Sequence, residues 1–483
     1  MPKFRFASRL TTLLARLAGG GKRHVPAGNR LHRFAGDRDA NVVVIFAMMM
    51  VPTIYLLGMA LDYTQAYHKE SQLNAAADAA AIAAITPAMM SKSTTAAQTA
   101  ATNVFNATAN SLYGLSAAPA LTVNITNQGL ARSVTVSYTA GSINNFPILL
   151  GSPAWPIQGS SSAAAAGAPN INFYLLLDDS PSMAIAGTTA GIATMLANTP
   201  GQESGGGCAF ACHESNPSAD GLGNPGGEDN YALARSLGVT LRIDLMAQAV
   251  ANLMTTATAD EQTYGNTYKV AIYSFDYAVN TVYAPSGLPS SNLSAAGTAA
   301  ANNISMPLVY DNNWLTSSDN NSDTDTNFEL AMQTINTTMP APGGGTSTPG
   351  DTPQEVLFIV TDGVDDEVVT STSACSQPTN SMGSSQYRCQ QPFNTAWCTT
   401  IKNRGIRIAV LYTEYLQLPT DSWYNTWVAP FDTPSPSTSL IATNLQSCAS
   451  TGLFYDVASG GDISAALQNL FSTVVATAAH LTQ

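Results

Sequence analysis

The sequence predicts an α/β protein: a doubly wound, mainly parallel sheet, preceded by an N-terminal transmembrane helix and a small β-rich segment. Short apolar runs alternate with helical stretches after residue 170, an uncharged apolar stretch covers 41–61, and two alternating runs lie between 121 and 140. A strand–helix–strand order is typical of parallel sheets, because each parallel strand needs a crossover connection.

The charge distribution separates the N-terminus from the rest of the chain. Nine of the 19 Lys and Arg residues lie in residues 1–40, which we interpret as a basic cytoplasmic tail. From residue 41 onward, ten basic residues face 30 acidic ones. Such an acidic surface cannot neutralise phosphates, so we expect no nucleic-acid partner.

Residues 41–61 are the predicted transmembrane helix. These 21 residues carry no charge, and a helix of this length spans about 31 Å, close to the hydrocarbon thickness of a bilayer. The basic residues precede it, so the N-terminus is expected in the cytoplasm and the bulk of the chain outside. A cleaved signal peptide is the alternative, but its apolar region covers only about 7–15 residues. We therefore predict an uncleaved anchor.

The six cysteines agree with export, since all of them follow the apolar stretch. Their pairing cannot be deduced from sequence, but they would pair in an oxidising compartment. We expect local pairing: Cys208 with Cys212, Cys375 with Cys389, and Cys398 with Cys448. The Cys208-x₃-Cys212-His213 spacing is one residue too long for haem attachment, and zinc would need further ligands from a chain with five His.

The exported part begins with an Ala-rich helix, predicted over residues 62–90 and ended by Pro87. Its stripe of small residues either packs against another helix or belongs to an exposed stalk. Residues 91–168 are predicted to be a small mixed or β segment and a linker, with a hairpin around Asn127-Gln128-Gly129 and the linker starting near Ile157.

Residues 169–483 are predicted to form the α/β domain, with insertions at 197–229 and 365–393. The candidate strands are short and apolar, as strands covered on both faces should be. They are residues 171–178, 268–275, 356–362, 406–413 and 452–458. The candidate helices are residues 229–256, 325–338, 394–403 and 461–479.

A metal site is predicted at the end of the first of these strands. Asp178, Ser180 and Ser182 follow the D-x-S-x-S pattern, and ligands of doubly wound sheets bind beyond the carboxyl ends of strands. Carboxylate and hydroxyl oxygens suit Mg²⁺, Ca²⁺ or Mn²⁺. Asp362 ends another apolar strand, and Thr326 precedes a helix between the two. Thr346 competes with Thr326 but leaves no room for a helix before the next strand.

The segments LLLDDSPSM, TDTNFELAMQTI and LFIVTDG resemble the metal-site motifs of von Willebrand factor A domains. This resemblance covers about residues 170–480 and implies five metal-site residues: Asp178, Ser180, Ser182, Thr326 and Asp362. The stretch from Ala40 to Ala84 resembles the TadE/G-like N-terminal region of Tad (Flp) pilus-assembly proteins. The Cys208–His213 element and the following ARSLGVTLRIDLMAQAV are similar to TadG-like members.

The resemblance implies a non-enzymatic protein of the bacterial inner membrane, with its bulk periplasmic or surface-exposed. Its metal, expected to be Mg²⁺ with Ca²⁺ or Mn²⁺ as alternatives, would bind an acidic side chain of another envelope or pilus-machinery protein. A surface adhesin is the first alternative, and an enzyme or chelatase-associated subunit is the second. Ser180 lacks a G-x-S-x-G elbow. Residues 365–367 are expected to be a solvated acidic loop rather than a second cation site.

Overall fold

The computed structural model describes most of the chain from Ala40 to Ala478. The described ranges are 40–202, 206–213, 217, 224, 226–306, 326–375, 380–383, 386–415, 417–419, 424–432, 435, 438–458 and 460–478. The predicted basic tail lies outside them, apart from Ala40. The chain divides into two compact units: unit I contains residues 1–76, 107–121 and 137–159, and unit II contains residues 77–106, 122–136 and 160–483.

The first described element is one long helix, α1 (Ala40–Ala83), which contains both the apolar stretch and the Ala-rich continuation. Within the described residues it is the one helix long and apolar enough to cross a membrane. It ends earlier than predicted. Pro87 does not stop it but begins the short helix α2 (Pro87–Met90), because a proline fits the first turn of a helix, where its missing N–H is not needed.

A three-stranded sheet follows, in the order β1-β2-β3. Its elements are α3 (Thr94–Ala109), β1 (Ala120–Gln128), β2 (Ala131–Ile143), α4 (Pro147–Leu150) and β3 (Ala154–Ala166). The predicted hairpin is confirmed, and Gly129 takes the left-handed conformation at its turn (φ 56°). The predicted linker is wrong, since most of it is β3. Ser and Ala do not favour strands, so the composition of this segment did not predict one. Hydrogen bonding to β2 makes it a strand nonetheless.

Unit II is built on a six-stranded sheet. Its strands are β4 (Ile171–Asp178), β5 (Tyr268–Phe275), β6 (Val279–Tyr283), β7 (Gln354–Thr361), β11 (Arg407–Thr413) and β12 (Phe454–Val457). A separate small sheet contains β8 (Val364–Val369), β9 (Asn380–Gly383) and β10 (Gln386–Pro392). The helices are α5 (Thr189–Asn198), α6 (Asn230–Ser236), α7 (Arg242–Tyr264), α8 (Leu293–Asn303), α9 (Phe328–Thr338), α10 (Ala396–Asn403), α11 (Ala429–Asp432), α12 (Leu440–Cys448) and α13 (Ile463–Ala478).

The strand order of the main sheet is β12-β11-β7-β4-β5-β6, with β6 antiparallel to β5 and the other neighbours parallel. A mixed α/β fold with a mostly parallel sheet is therefore confirmed. Strands β4 and β7 are buried along their whole length. The predicted helix 229–256 is two helices, because a turn with Gly238 in the left-handed conformation separates α6 from α7.

The acidic segment 365–367 is not a solvated loop. It lies on β8, which pairs antiparallel with β10. Asp365 is 2% and Asp366 is 7% exposed. Asp366 accepts hydrogen bonds from Arg388 Nε (2.8 Å) and Gln390 Nε2 (2.9 Å), and Asp365 accepts one from Phe328 N–H (3.0 Å). Partners from a neighbouring strand and a helix start, which local sequence does not reveal, permit this burial.

Two of the three expected disulfides are present, Cys375–Cys389 and Cys398–Cys448. The expected Cys208–Cys212 bond is not formed. The chain between these two residues runs along the loop after β4: Phe210 pairs with Ile185, and Ala211 N–H donates to Ala184 O (2.9 Å). This pairing opposes a tight turn that would bring the two sulfurs together, and the Cys208 thiol donates to Phe210 O (3.5 Å).

We expect the Cys398–Cys448 bond to stabilise the fold more than the Cys375–Cys389 bond. The first closes a separation of 50 residues and the second one of 14, and the chain-entropy model gives roughly 4 and roughly 3 kcal/mol. Thermal unfolding should show a lower Tm for Cys398→Ala/Cys448→Ala than for Cys375→Ala/Cys389→Ala. Equal Tm values would contradict the ordering.

Glu355 on β7 is an ionisable group inside the sheet. It is 2% exposed, and Oε1 accepts a hydrogen bond from Asn172 Nδ2 on β4 (2.8 Å). Burial raises its pKa to about 7, against an ordinary value of 4.5. Between these values the unfolded chain releases a proton that the folded chain keeps. The contribution of Glu355 to stability is therefore complete below pH 4.5 and is lost as the pH rises to about 7.

Replacing Glu355 with Gln should reduce this pH dependence. We expect Glu355→Gln to exceed wild type in Tm at pH 8, because the ionised carboxylate is no longer buried, and to show no such gain at pH 4. Calorimetry across this pH range, with the exposed Glu329→Gln as a control, measures both. A Tm difference that does not change with pH would refute the prediction.

Candidate metal centre

Asp178 is the last residue of β4, which lies between β7 and β5 in the sheet. It is fully buried. Its Oδ1 accepts hydrogen bonds from the Ser180 N–H (3.0 Å) and hydroxyl (2.5 Å), and Oδ2 accepts one from the Thr361 hydroxyl (2.6 Å). The carboxylate is thus fixed at the carboxyl edge of the sheet by donors from its own loop and from β7.

The loop after β4 brings the two serines together. The Ser180 and Ser182 hydroxyl oxygens are 3.0 Å apart. Ser180 precedes a 3₁₀ turn, Pro181–Ala184, in which the proline occupies the first position. Since proline fixes φ there, it holds the loop in the conformation that aligns both hydroxyls.

Asp362 directly follows β7 and is also fully buried. Neither of its carboxylate oxygens accepts a hydrogen bond of normal geometry from the described residues. The Ser182 and Tyr415 hydroxyls and the Val364 N–H lie near enough to favour its charged form. The next residue, Gly363, has φ 80°, and a Cβ there would lie 2.7 Å from Ile441 and Leu445 side chains. Only glycine fits this turn.

The two buried carboxyl groups of the site need a compensating positive charge. Burial, together with the Asp362 charge, raises the Asp178 pKa well above its ordinary value, and burial also raises the Asp362 pKa. Two neighbouring buried carboxylates cannot both ionise without a compensating charge. Either a proton or a metal ion must supply it, and the oxygens of Asp362, which accept no hydrogen bond of normal geometry from the described residues, could bind a metal.

One buried arginine supplies part of that charge. Arg242 lies at the start of α7 and is 3% exposed. Its backbone N–H donates to Ile185 O (3.0 Å), beside the loop after β4. Its charge lowers the Asp362 pKa, and its own pKa is lowered by burial. The same guanidinium also interacts with the buried Asp432, so its charge is shared between two carboxylates.

Thr326 lies at the same edge of the sheet. Its N–H and carbonyl exchange hydrogen bonds with Asp366, and the adjacent Asn327 N–H donates to Asp276 O (2.9 Å), just after β5. Within the described part of the chain, no hydrogen bond joins the Thr326 hydroxyl to Asp178, Ser180, Ser182 or Asp362. The structure therefore brings those four together and ties Thr326 to the same edge through its backbone.

The rival residue Thr346 is at the other end of the sheet. Its hydroxyl donates to Asp351 (2.7 Å), and the preceding Gly345 O accepts from Asn170 N–H, just before β4. Seven residues of strand, about 23 Å, separate that end from Asp178. Thr346 is excluded as a ligand of this site.

The donor set fits a hard divalent cation. It consists of two carboxylates and hydroxyl oxygens, which suit Mg²⁺, Ca²⁺ or Mn²⁺ better than Zn²⁺. Among the described residues, no group of three or more His, Cys, Asp or Glu side chains could hold a metal, so serine hydroxyls and water would complete the shell. Asp179 is buried beside the site; burial raises its pKa to about 7, and its Oδ1 accepts no hydrogen bond from the described residues.

Three supporting residues were not predicted: Thr361, Arg242 and Tyr415. Thr361 also accepts a hydrogen bond from Gly363 N–H (2.9 Å), so it links the turn after β7 to Asp178. Arg242 carries one signal in the sequence, a charge between Leu241 and Ile243 in an apolar run. Tyr415 carries none, because its role depends on the packing of the segment after β11.

The comparison with protein families matches the N-terminal part of the chain. A family model described as "Putative Flp pilus-assembly TadE/G-like" matches residues 40–101, confirming the resemblance of the N-terminal stretch. No curated protein shows significant similarity.

Solved structures share low identity with the chain. The D319A mutant of the PilB minor pilin from Streptococcus sanguinis is 11% identical, with a TM-score of 0.34, covering 77% of this chain and 80% of that one. Proximal thread matrix protein 1 from the mussel byssus, with a zinc-occupied MIDAS motif, is 10% identical (TM-score 0.31; 64% and 46% covered). A von Willebrand factor type A protein from Catenulispora acidiphila is 12% identical (TM-score 0.27; 75% and 50%). TM-scores this low do not establish a shared fold.

Asp362→Asn should separate the repulsion between this carboxylate and Asp178 from its binding of a metal. Without metal, the neutral amide removes the repulsion with Asp178, so we expect a higher Tm than wild type at pH 8. Mg²⁺ at about 100 times its Kd should stabilise wild type by about 2.7 kcal/mol but leave the variant unchanged. Calorimetry with and without Mg²⁺ measures both. The exposed Asp78→Asn should behave as wild type, and a metal-induced Tm rise in Asp362→Asn would exclude Asp362 as a ligand.

Proposed function

We propose that this chain is a membrane-anchored protein of the bacterial cell envelope that acts in Tad/Flp pilus assembly or secretion. We propose that residues 169–483 form a von Willebrand factor A-type domain, which binds another component of that apparatus through a divalent metal. The observation that carries this proposal is the buried pair Asp178 and Asp362, whose charges need a cation where the Ser180 and Ser182 hydroxyls also converge.

The metal chemistry defines the partner. Asp178 is occupied by three hydrogen bonds, whereas the Asp362 oxygens accept none of normal geometry. A bound Mg²⁺ would be held with an incomplete protein shell, and a carboxylate from the partner would complete its octahedral coordination. The buried acidic groups of the site, Asp179 and Asp276 among them, would repel such a carboxylate in the absence of metal. Binding is therefore expected to require the metal.

The N-terminal part supports the cellular setting. Residues 40–101 match the TadE/G-like family model, and α1 is long and apolar enough to cross a membrane. We propose that it anchors the chain with the basic tail inside and the bulk periplasmic. The proposal assigns no catalytic residue. In this proposal the metal joins the protein to its partner. Ser180 donates its hydroxyl hydrogen to Asp178 (2.5 Å) rather than to a histidine.

Co-purification from membranes tests the metal-dependent binding. We expect the partners captured with wild-type protein to be lost in EDTA and restored by added Mg²⁺. Asp362→Asn and Asp178→Ala should capture none under any of these conditions. The exposed Asp78→Asn serves as the control and should capture the wild-type set. Recovery of the same partners with EDTA, or with both site variants, would refute the proposal.

The alternative function, a surface adhesin, uses the same metal site with a host or matrix ligand. Protease treatment of intact cells distinguishes the two. Degradation of the exported part in intact cells would favour the adhesin, and protection until the outer barrier is opened would favour the pilus-assembly role.

A further inference from the structure

Unit I contains an uncharged loop that is mostly apolar. Residues 143–157, from the last residue of β2 to the first four residues of β3, read INNFPILLGSPAWPI and carry no charge. We call residues 144–153 the apolar loop. It contains the short helix α4, which ends at Gly151 in the left-handed conformation (φ 66°). A loop facing water usually contains polar or charged residues, so this composition requires an explanation.

Asp62 of helix α1 fixes the position of the apolar loop. Its Oδ1 accepts a hydrogen bond from Asn145 N–H (2.7 Å), and Oδ2 accepts one from Phe146 N–H (3.0 Å). Asp62 is only 1% exposed. It directly follows the predicted transmembrane residues 41–61, so the loop is held at the level where the apolar stretch ends.

Two hydrogen bonds also join the ends of the apolar loop. Asn144 N–H donates to Pro153 O (3.0 Å), and Asn144 Nδ2 donates to Ser152 O (2.9 Å). With the two N–H groups bound by Asp62, these bonds close the loop on itself. Backbone groups near lipid must be paired, because hydrocarbon offers them no partners.

The side chains of this region are apolar and exposed. Ile148 is 92%, Ile143 46% and Phe146 38% exposed. Beside them is an aromatic cluster: the Tyr63 ring lies 5.8 Å from Trp155 and 6.5 Å from Tyr67. Tyr63 and Tyr67 are more than half exposed. Tyr and Trp concentrate where a membrane meets water, because their rings are apolar and their polar tips stay hydrated.

We propose that the apolar loop inserts into the interfacial region of the leaflet from which α1 emerges, with Tyr63, Tyr67 and Trp155 at the headgroup level. This proposal rests on the proposed membrane anchorage by α1. The occupant is lipid because the loop continues the exposed apolar surface of α1, which includes Leu57 and Leu61, and carries no charge that a protein or peptide would pair with. The loop then adds a second, rigid contact with the bilayer beside the helix.

Depth-dependent quenching tests this proposal in the full chain reconstituted into vesicles of phosphatidylethanolamine and phosphatidylglycerol. A solvatochromic fluorescent amino acid is placed at one position at a time: Ile148 in the apolar loop, Tyr55 in the apolar stretch, or Tyr113. Tyr113 is the matched control, since it is in the same unit and 93% exposed. Bromine-labelled lipids report contact with the bilayer, and aqueous iodide reports contact with water.

We expect bromolipid to quench the probes at Tyr55 and Ile148 but not at Tyr113, and iodide to quench Ile148 severalfold less than Tyr113. If Tyr55 is in lipid while Ile148 behaves as Tyr113 does, loop insertion is wrong and the anchorage stands. If Ile148 is shielded from both quenchers, a protein covers the loop and the proposal is again overturned. If the Tyr55 probe itself is quenched by iodide and not by bromolipid, the anchorage fails and the insertion with it.

Discussion

The candidate site depends on the burial of two carboxylates, Asp178 and Asp362, at the ends of neighbouring parallel strands. Parallel neighbours end at the same edge of a sheet, so a carboxylate after each strand necessarily lies close to the other. Their mutual repulsion in a site without bulk water is a cost that the fold must offset. Hydrogen bonds from Ser180 and Thr361 support one carboxylate, the charge of Arg242 supports the other, and a proton or a cation must offset the remaining negative charge.

The surrounding elements maintain that arrangement. The start of α7 is bonded to the first loop and delivers Arg242, while the tight turn at Gly363 fits under the side chains of α12. The disulfide between Cys398 and Cys448 fixes α12 to α10, next to β11. The β8–β10 pair buries Asp365 and Asp366, which bind the backbone at Thr326 and Phe328. Asp365 and Asp366, close to Asp362 in sequence, thus set the location of Thr326, which is far from both carboxylates in sequence.

Unit I uses a buried carboxylate in a different way. Asp62 binds two backbone N–H groups of the apolar loop and so gives this segment a fixed place beside the helix. In the candidate metal centre two buried carboxylates need a compensating proton or cation, whereas the Asp62 carboxylate is bound by two backbone N–H groups. Buried aspartates thus form a candidate cation site in one unit and position a loop in the other.

The sequence by itself determined the features that arise from local pattern. The uncharged apolar stretch predicted the first part of helix α1, and apolar runs bounded by turns predicted β4, β5, β7, β11 and β12. The D-x-S-x-S spacing predicted the loop after β4 with its two hydroxyls. These depend on periodicity and on residues within a few positions of each other. Tertiary structure alone decided what depends on partners distant in the chain. The pairing of β3 with β2, the burial of Asp365 and Asp366, and the exclusion of Thr346 all depend on such partners. So do the approach of Arg242 and Tyr415 to Asp362 and the capture of the apolar loop by Asp62, because hydrogen-bond partners and charges act through space and leave no periodic trace in the sequence.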